Sequence, residues 1–285
     1  MRNDFAIFIL THGRPDTQLT LKTLLACGYT GRWYLVLDDQ DDTIQKYIDN
    51  FGADRIIVFN KNHYINSCET IAVPPKDKCI LYAKVAAEEI AKSLNLTSFV
   101  LADDDIYKFR FRYVDGNKLR SKAIRSNMDK IIGAYNDFIL SAPITAISPL
   151  YTTMYISGIK MYSQEHIQHY RIPYIFVFRN SQYPVNWIAD YGEDTLTAIQ
   201  ENKCGNCMLG LPFIQEDSTA PDKRSSGGMS ETYNSDTFKL IMRCVVAEPS
   251  IVTPQFYNGK FVPRLNRSIS FPKIISGGYK NEEIV

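Results

Sequence analysis

The first hundred residues alternate short apolar runs with amphipathic stretches. Phe5–Leu10 is an unbroken apolar run that reads as a buried strand. Thr11-His12-Gly13-Arg14-Pro15-Asp16 has turn composition, and a helix is expected from there to about Cys27, with Pro15 suiting its start and Gly28 its stop. Trp33–Leu37 reads as a second strand, ending in Asp38-Asp39-Gln40-Asp41-Asp42, and a helix is expected to about Phe51, before Gly52. Arg55–Phe59 is a third strand. The segment from Asn60 to Lys78 is polar, contains Pro74-Pro75 and reads as an irregular excursion over the site. From Ile80 to Leu94, the positions Ile80, Ala83, Ala87, Ile90, Ala91 and Leu94 fall on one helical face. A further strand over Ser98–Ala102 then delivers Asp103-Asp104-Asp105.

Strands alternating with helices predict an α/β fold with a largely parallel sheet and right-handed crossovers. The pattern after residue 105 is more mixed. Tyr107–Val114 alternates Phe109, Phe111 and Tyr113 with Lys108, Arg110 and Arg112, which is strand periodicity, and Asp115-Gly116 suits a hairpin turn. A helix is expected from about Ser126 to Leu140, and short strands at 144–149, 174–178 and 241–246. Ser225–Ser230 has loop composition. The expected organisation is one domain over residues 1–285, with a nucleotide-binding half (1–105) and a more mixed half (106–285).

Composition narrows the classes. With 45% hydrophobic and 22% charged residues the chain is an ordinary globular protein, neither disordered nor collagen-like. The net charge of +1 means that a nucleic-acid partner must be held by a local basic patch. No apolar run approaches the ~18 residues of a membrane span, and Phe5–Leu10 is too short for a signal-peptide core. The expected location is therefore the cytoplasm. Neither G-x-G-x-x-G nor G-x-x-x-x-G-K-[ST] occurs, which argues against a dinucleotide dehydrogenase and a P-loop NTPase. Cys204-Gly205-Asn206-Cys207 has the spacing of a metal knuckle or redox pair, but no second pair accompanies it, and reduced thiols near a turn are the simpler reading.

Three consecutive carboxylates repel one another unless a cation joins them. Asp and Glu are hard oxygen donors, and their usual visitor is Mg²⁺ or Mn²⁺, often carrying a nucleotide diphosphate. The carboxyl end of a strand is also where open α/β sheets bind ligands. Asp103 and Asp105 frame a D-x-D spacing, with Asp104 between them. Glu193-Asp194, after Trp187 and before a helix-like segment, suits a helix N-terminus, where carboxylates are favoured. Lys108 to Lys130 holds eight cations (108, 110, 112, 118, 120, 122, 125 and 130) against Asp115 and Asp129. That hairpin is either a solvated face or a phosphate-tracking surface.

Four of these features recur in one order: Thr11-His12-Gly13-Arg14-Pro15, Asp38-Asp39, Tyr82-Ala83-Lys84 and Asp103-Asp104-Asp105. The set resembles the GT-A glycosyltransferase pattern of glycosyltransferase family 2. More narrowly, it resembles the TET-associated glycosyltransferases of phages, which decorate 5-hydroxymethylpyrimidines in DNA. The opening Phe5–Pro15 and Cys27-Gly28-Tyr29-Thr30-Gly31 carry the resemblance, which is good over about residues 5–110. The family usually has Arg where this chain has Lys84, which keeps the charge but loses the bidentate fork.

The resemblance implies a metal-dependent transferase of the GT-A fold, using Mn²⁺ or Mg²⁺ and a UDP-sugar donor, with a DNA 5-hydroxymethylcytosine or related pyrimidine as acceptor. Donor-binding residues would be Thr11, His12, Arg14, Asp38, Asp39, Tyr82, Lys84, Asp103 and Asp104; metal ligands Asp103 and Asp105. Asp194 would be the base of an inverting reaction, with Glu193 the alternate. DNA would meet Lys108, Arg110, Arg112, Lys118, Arg120, Lys122, Arg125 and Trp187, with Lys260, Arg264, Arg267 and Lys273 as a further extension. A polysaccharide or glycoprotein acceptor, and a metal-dependent nucleotidyltransferase, are the alternatives.

Overall fold

The computed structural model describes residues 3–68, 80–162, 175–180, 185–188, 192–219, 237–257 and 260–265. The expected loops at Pro74-Pro75 and Ser225–Ser230, and the cations Arg267 and Lys273, lie outside them. Strands β1 (Phe5–Leu10), β2 (Trp33–Asp38), β3 (Ile56–Phe59) and β4 (Ser98–Asp103) pair in parallel in the order β3-β2-β1-β4. Strands β5 (Ile106–Asp115), β6 (Lys118–Ala123), β7 (Ile144–Tyr151), β8 (Ile175–Arg179) and β9 (Cys207–Ser218) extend this to a mixed sheet of nine, continuing β4-β8-β7-β9-β5-β6. There β7 and β9 are parallel, and the other new pairings are antiparallel.

Strand β1 is buried along its whole length, which is why it reads as an unbroken apolar run. Its side chains alternate between two cores, as the pleat requires. Phe5, Ile7 and Ile9 pack with Leu21 and Leu24 of helix α1 (Leu19–Ala26) and with Met128, Ile132 and Ile139 of a later helix (Met128–Ser141). Ala6, Phe8 and Leu10 pack with Leu81, Tyr82, Ala86, Ala87 and Ala91 of the helix Leu81–Ser93. In chain order the remaining helices are α2 (Ile44–Phe51), α3 (Lys61–Ser67), α4 (Leu81–Ser93), α5 (Met128–Ser141), α6 (Glu193–Lys203) and α7 (Thr237–Ala247). A separate antiparallel pair, β10 (Val252–Tyr257) and β11 (Lys260–Leu265), follows.

Three expectations are corrected. Residues 241–246 are not a strand but the middle of α7, where Ile241 and Cys244 are buried while Val246 is 70% exposed. An apolar run this short does not distinguish the two periodicities. The polar stretch after Asn60 begins with α3, whose first turn is capped by the Asn60 side chain accepting from His63 N at 3.1 Å. Helix α1 starts at Leu19 rather than beside Pro15, so the turn after β1 runs on to Gln18. The hairpin at Asp115-Gly116 and the helix after Ser126 form as expected.

Candidate active site

The carboxyl ends of β1, β2 and β4 lie side by side, and the turn after β1 is tied to both neighbours. Thr11 Oγ1 donates to Asp104 Oδ2 at 2.7 Å and lies 2.9 Å from the Tyr47 hydroxyl. Gln18 Nε2 donates to Thr11 Oγ1 and to the Arg14 carbonyl, both at 2.9 Å. Arg14 Nη1 pairs with Asp104 Oδ1 at 2.7 Å, its side chain 12% exposed and that of Asp104 5%. Gly13, at φ +67°, donates its N–H to Asp41 Oδ2 at 2.7 Å. The left-handed backbone explains glycine there.

His12 Nδ1 donates to Asp38 Oδ2 at 2.9 Å, and Lys61 Nζ reaches Asp38 Oδ1 at 3.5 Å. The bond to Asp38 raises the His12 pKa above 6.5, against burial. Burial opposes ionisation of Asp38, but His12 and Lys61 outweigh it and hold its carboxyl below the usual value. Asp39 is exposed, and its Oδ1 accepts from Lys61 N at 3.0 Å.

The first turn of α1 holds the backbone of the acidic triplet. Thr20 N donates to the Asp104 carbonyl at 3.1 Å, Thr20 Oγ1 donates to the Asp103 carbonyl at 2.5 Å, and Ile106 N donates back to Thr20 Oγ1 at 2.9 Å. The three carboxylates thus differ. Asp104 is bonded to Thr11 and Arg14. Asp103 is half-buried at the end of β4, and Asp105 is 7% exposed.

Lys84 joins this triplet to the Glu-Asp pair at 193 and 194, far along the sequence. Its Nζ lies 2.8 Å from Glu193 Oε1, with the two side chains 4% and 13% exposed. Burial opposes its charge, but Glu193, Asp103 and Asp194 together hold the Lys84 pKa above 10.5. Gly192, at φ +70°, precedes α6 where an added Cβ would sit 2.7 Å from Cys244 Sγ. Asp194 is half-buried in the first turn of α6, where its Oδ1 accepts from Thr195 N at 2.7 Å.

Two aromatic assignments change. Trp187 is 5% exposed, donates its indole N–H to Glu88 and lies under Lys84 Nζ at 5.0 Å, so it is a wall of the site and not a platform for DNA. Burial pushes Glu88 up to about 7, against the bonds from Trp187 and Val185 N. Tyr82 is 1% exposed and belongs to the core around α4.

The basic hairpin divides in two. Arg110 Nε donates to Asp217 Oδ2 at 2.7 Å, while Arg112 donates to Gln215 and stacks over Tyr155 at 4.6 Å, so these two cations face the protein. On the other face Phe111 lies opposite Lys122 and Tyr113 opposite Arg120. Phe111 is 41% and Tyr113 45% exposed, and Lys118, Arg120, Lys122 and Arg125 are exposed beside them. Lys108 is half-buried, and Arg264 on β11 is exposed.

Sequence reasoning missed Asp41, Tyr47 and Gln18, which brace the first turn, and Glu216-Asp217 on β9. The available signal was the polar run Gln215-Glu216-Asp217 inside an otherwise apolar stretch. Among the described residues no group of three His, Cys, Asp or Glu side chains is arranged to hold a metal ion. Cys204 is exposed and Cys207 buried, its thiol pushed up to about 11, and both are free. No helix among the described residues is long and apolar enough to cross a membrane.

The chain belongs to the TET-associated glycosyltransferase family, whose model matches residues 5–214, and it is a glycosyltransferase with an α/β fold. Among solved structures it is similar to glucosyl-3-phosphoglycerate synthase from Mycobacterium tuberculosis in complex with Mg²⁺ and UDP, at 9% identity and TM-score 0.47, covering 92% of this chain and 86% of that one. It is also similar to S. aureus TarS in complex with UDP-GlcNAc, at 12% identity and TM-score 0.45, covering 85% of this chain and 65% of that one. These likenesses are distant, and the fold assignment rests on the strand order and the family. No curated protein matches the chain.

Proposed function

We propose that this glycosyltransferase moves a sugar from a UDP-sugar to the hydroxymethyl group of 5-hydroxymethylcytosine, or a related pyrimidine, in phage DNA. The observation that carries the reading is the position of Lys84. One buried cation feels Asp103 of the triplet, Glu193 and Asp194 together, so two acidic motifs far apart in sequence share one site. Membership of the family sets the nucleotidyltransferase alternative aside.

In this reading Asp103 and Asp105 hold Mg²⁺ or Mn²⁺. The donor set fits: hard carboxylate oxygens, and a further buried carboxylate, Glu216, with neither oxygen hydrogen-bonded among the described residues. Such ions rest on one or two carboxylates plus phosphate oxygens and waters, so a cage of three protein ligands is not required. Bound there, the ion would neutralise charge developing on the departing diphosphate. The Thr11–Pro15 turn, Asp38 and Asp39 face uracil and ribose, and Asp103 contacts ribose. Asp104 and Tyr82 serve as supports of that wall.

Glu193 is paired with Lys84, and Asp194 beside it serves in this reading as the base that takes the proton from the acceptor hydroxyl in an inverting transfer. Lys118, Arg120, Lys122 and Arg125, interleaved with Phe111 and Tyr113, supply a phosphate-tracking face with stacking surface. Working on a base calls for a single strand or an extruded nucleotide. A cytoplasmic site of action accords with that acceptor.

The test is mass spectrometry of nucleosides digested from 5-hydroxymethylcytosine DNA after incubation with Mn²⁺ and a panel of UDP-sugars. One hexose or pentose added per modified base is expected. No adduct across the panel, with sugar appearing on a glycan acceptor, would overturn the DNA reading.

A further inference from the structure

Strand β9 carries three polar residues through the interior, and two of them are satisfied. Gln215 Nε2 donates to Thr152 Oγ1 at 2.8 Å and also to Asp217. Asp217 accepts from Arg110 at 2.7 Å and from Thr152. Between them Glu216 is 0% exposed, and neither carboxylate oxygen has a hydrogen-bond partner among the described residues. An orphaned buried carboxylate is costly, and an apolar side chain of the same volume would pack there more cheaply. Its retention needs a reason outside the core.

The register shows where it sits. Glu216 lies opposite Phe109 on β5 and Tyr151 on β7. Three residues on, Thr219 N donates to the Asp105 carbonyl at 3.2 Å, so the end of β9 runs alongside the acidic triplet. Burial first, then the charges of Asp103, Asp105 and Asp217, push the Glu216 carboxyl well above the ordinary range, which places all three acids within its electrostatic reach. Arg110 on β5 is committed to Asp217. Glu216 also stands two residues beyond the matched segment 5–214, so the family model does not describe it.

We propose that Glu216 is a positioning residue for the divalent cation of the proposed site, its carboxylate accepting hydrogen bonds from waters that the cation keeps beyond Asp103 and Asp105. A water-mediated role suits both facts: no three acidic side chains among the described residues converge closely enough to ligate directly, and Mg²⁺ gives up its waters reluctantly. Partners outside the ligand shell orient the ligands and set affinity. The inference rests on the metal reading above and adds to it a third carboxylate from the other half of the chain.

The test is Mn²⁺ titration of the full chain by electron paramagnetic resonance with UDP present, alongside metal-free thermal melts. Glu216→Gln is expected to bind Mn²⁺ about tenfold more weakly or worse, while its metal-free melting temperature equals or exceeds that of the wild type. Asp105→Asn serves as the reference for loss of a ligand. Glu216→Gln with wild-type Mn²⁺ affinity, while Asp105→Asn loses it, overturns the role of Glu216 and leaves the metal reading standing. A wild-type protein that takes up no Mn²⁺ with UDP overturns both. Should Glu216→Gln not fold, Glu216→Leu carries the same two readouts.

Discussion

The acids at the strand ends come from two regions of the molecule, and the regions treat them differently. In the half built by residues 5–105, Asp38 has His12 and Lys61, Asp41 has the Gly13 and Thr43 N–H groups, and Asp104 has Thr11 and Arg14. These carboxylates are the fasteners of a turn. In the later half Asp217 is likewise held by Arg110 and Thr152, but Glu216 has no hydrogen-bond partner among the described residues, and Glu193 pairs with a lysine contributed by the first half. Acids that brace the fold spend their oxygens on it; acids that serve chemistry keep theirs for a ligand or a proton. The comparison predicts that substitution of the bracing acids Asp38, Asp41 and Asp104 costs stability, and that substitution of Asp194 or Glu216 costs rate or metal binding.

The largest effect is expected at Asp194. Asp194→Asn should lower kcat by about 10²–10⁴, the usual worth of a general base, while UDP binding and the melting temperature stay near wild type. A single-turnover assay with matched UDP titrations checks this. An Asn variant with full activity would make the Lys84–Glu193 pair the place to look, or would indicate retention of configuration.

On the first-half side, Arg14→Ala leaves Asp104 buried with Thr11 as its remaining side-chain donor. Breaking such a pair should cost about 3 kcal/mol of stability, read from urea denaturation. Removing both charges, in Arg14→Met with Asp104→Asn, should cost less, because no uncompensated carboxylate remains. If Arg14→Ala melts like the wild type and instead loses donor affinity, the turn is a binding element first and the division between the halves fails.

Much of this division was legible in the chain. Strands buried on both faces read as continuous apolar runs, so the four parallel strands and the acids at their ends were visible from residues alone. The roles within the triplet were not. Three aspartates in a row look alike in sequence, and it takes the neighbouring turn to show that Asp104 is claimed by Thr11 and Arg14. Trp187 looked available because a tryptophan near a motif reads the same whether it faces solvent or Glu88. Glu216 was invisible for a related reason: its environment is assembled by β5 and β7, which pair with β9 across long sequence separations. The error at 241–246 is of another kind, since the buried spacing of Ile241 and Cys244 that marks a helix is obscured by apolar neighbours.

The hairpin sharpens the comparison within one element, because its two faces behave like the two halves. Changing Lys118, Arg120 and Lys122 to Gln should weaken DNA binding and reduce the salt slope by up to about 0.9 per lost phosphate contact, with stability unchanged. Changing Arg110 and Arg112 to Gln should destabilise the protein instead, because Asp217 and Gln215 lose their partners. Filter binding across a salt series, beside thermal melts, reads both. An unchanged slope in the triple variant would return the outer face to a solvated surface.

The smallest effect is expected at His12, and its sign follows from the pair it makes. The Asp38 bond raises the folded-state pKa of His12 above 6.5. Its contribution to stability is therefore fully present below pH 6.5 and is lost as the pH climbs through the raised value. Asp38 works in the opposite sense: its carboxyl is held below 3.8, so its share is present above that pH and is lost as the pH falls through the lowered value. The pair thus supports the turn most between those limits. Because the His12 side chain is 40% exposed, solvent screening keeps the contribution under about 1 kcal/mol. His12→Gln should melt slightly below wild type at pH 5.5 and match it at pH 9. In a proton NMR titration the His12 ring should show a midpoint above 6.5 that Asp38→Asn moves downward. A midpoint that ignores Asp38 would mean that His12 is not fastened to the first-half turn, and that at this residue the first half keeps a group available to a ligand as the later half does.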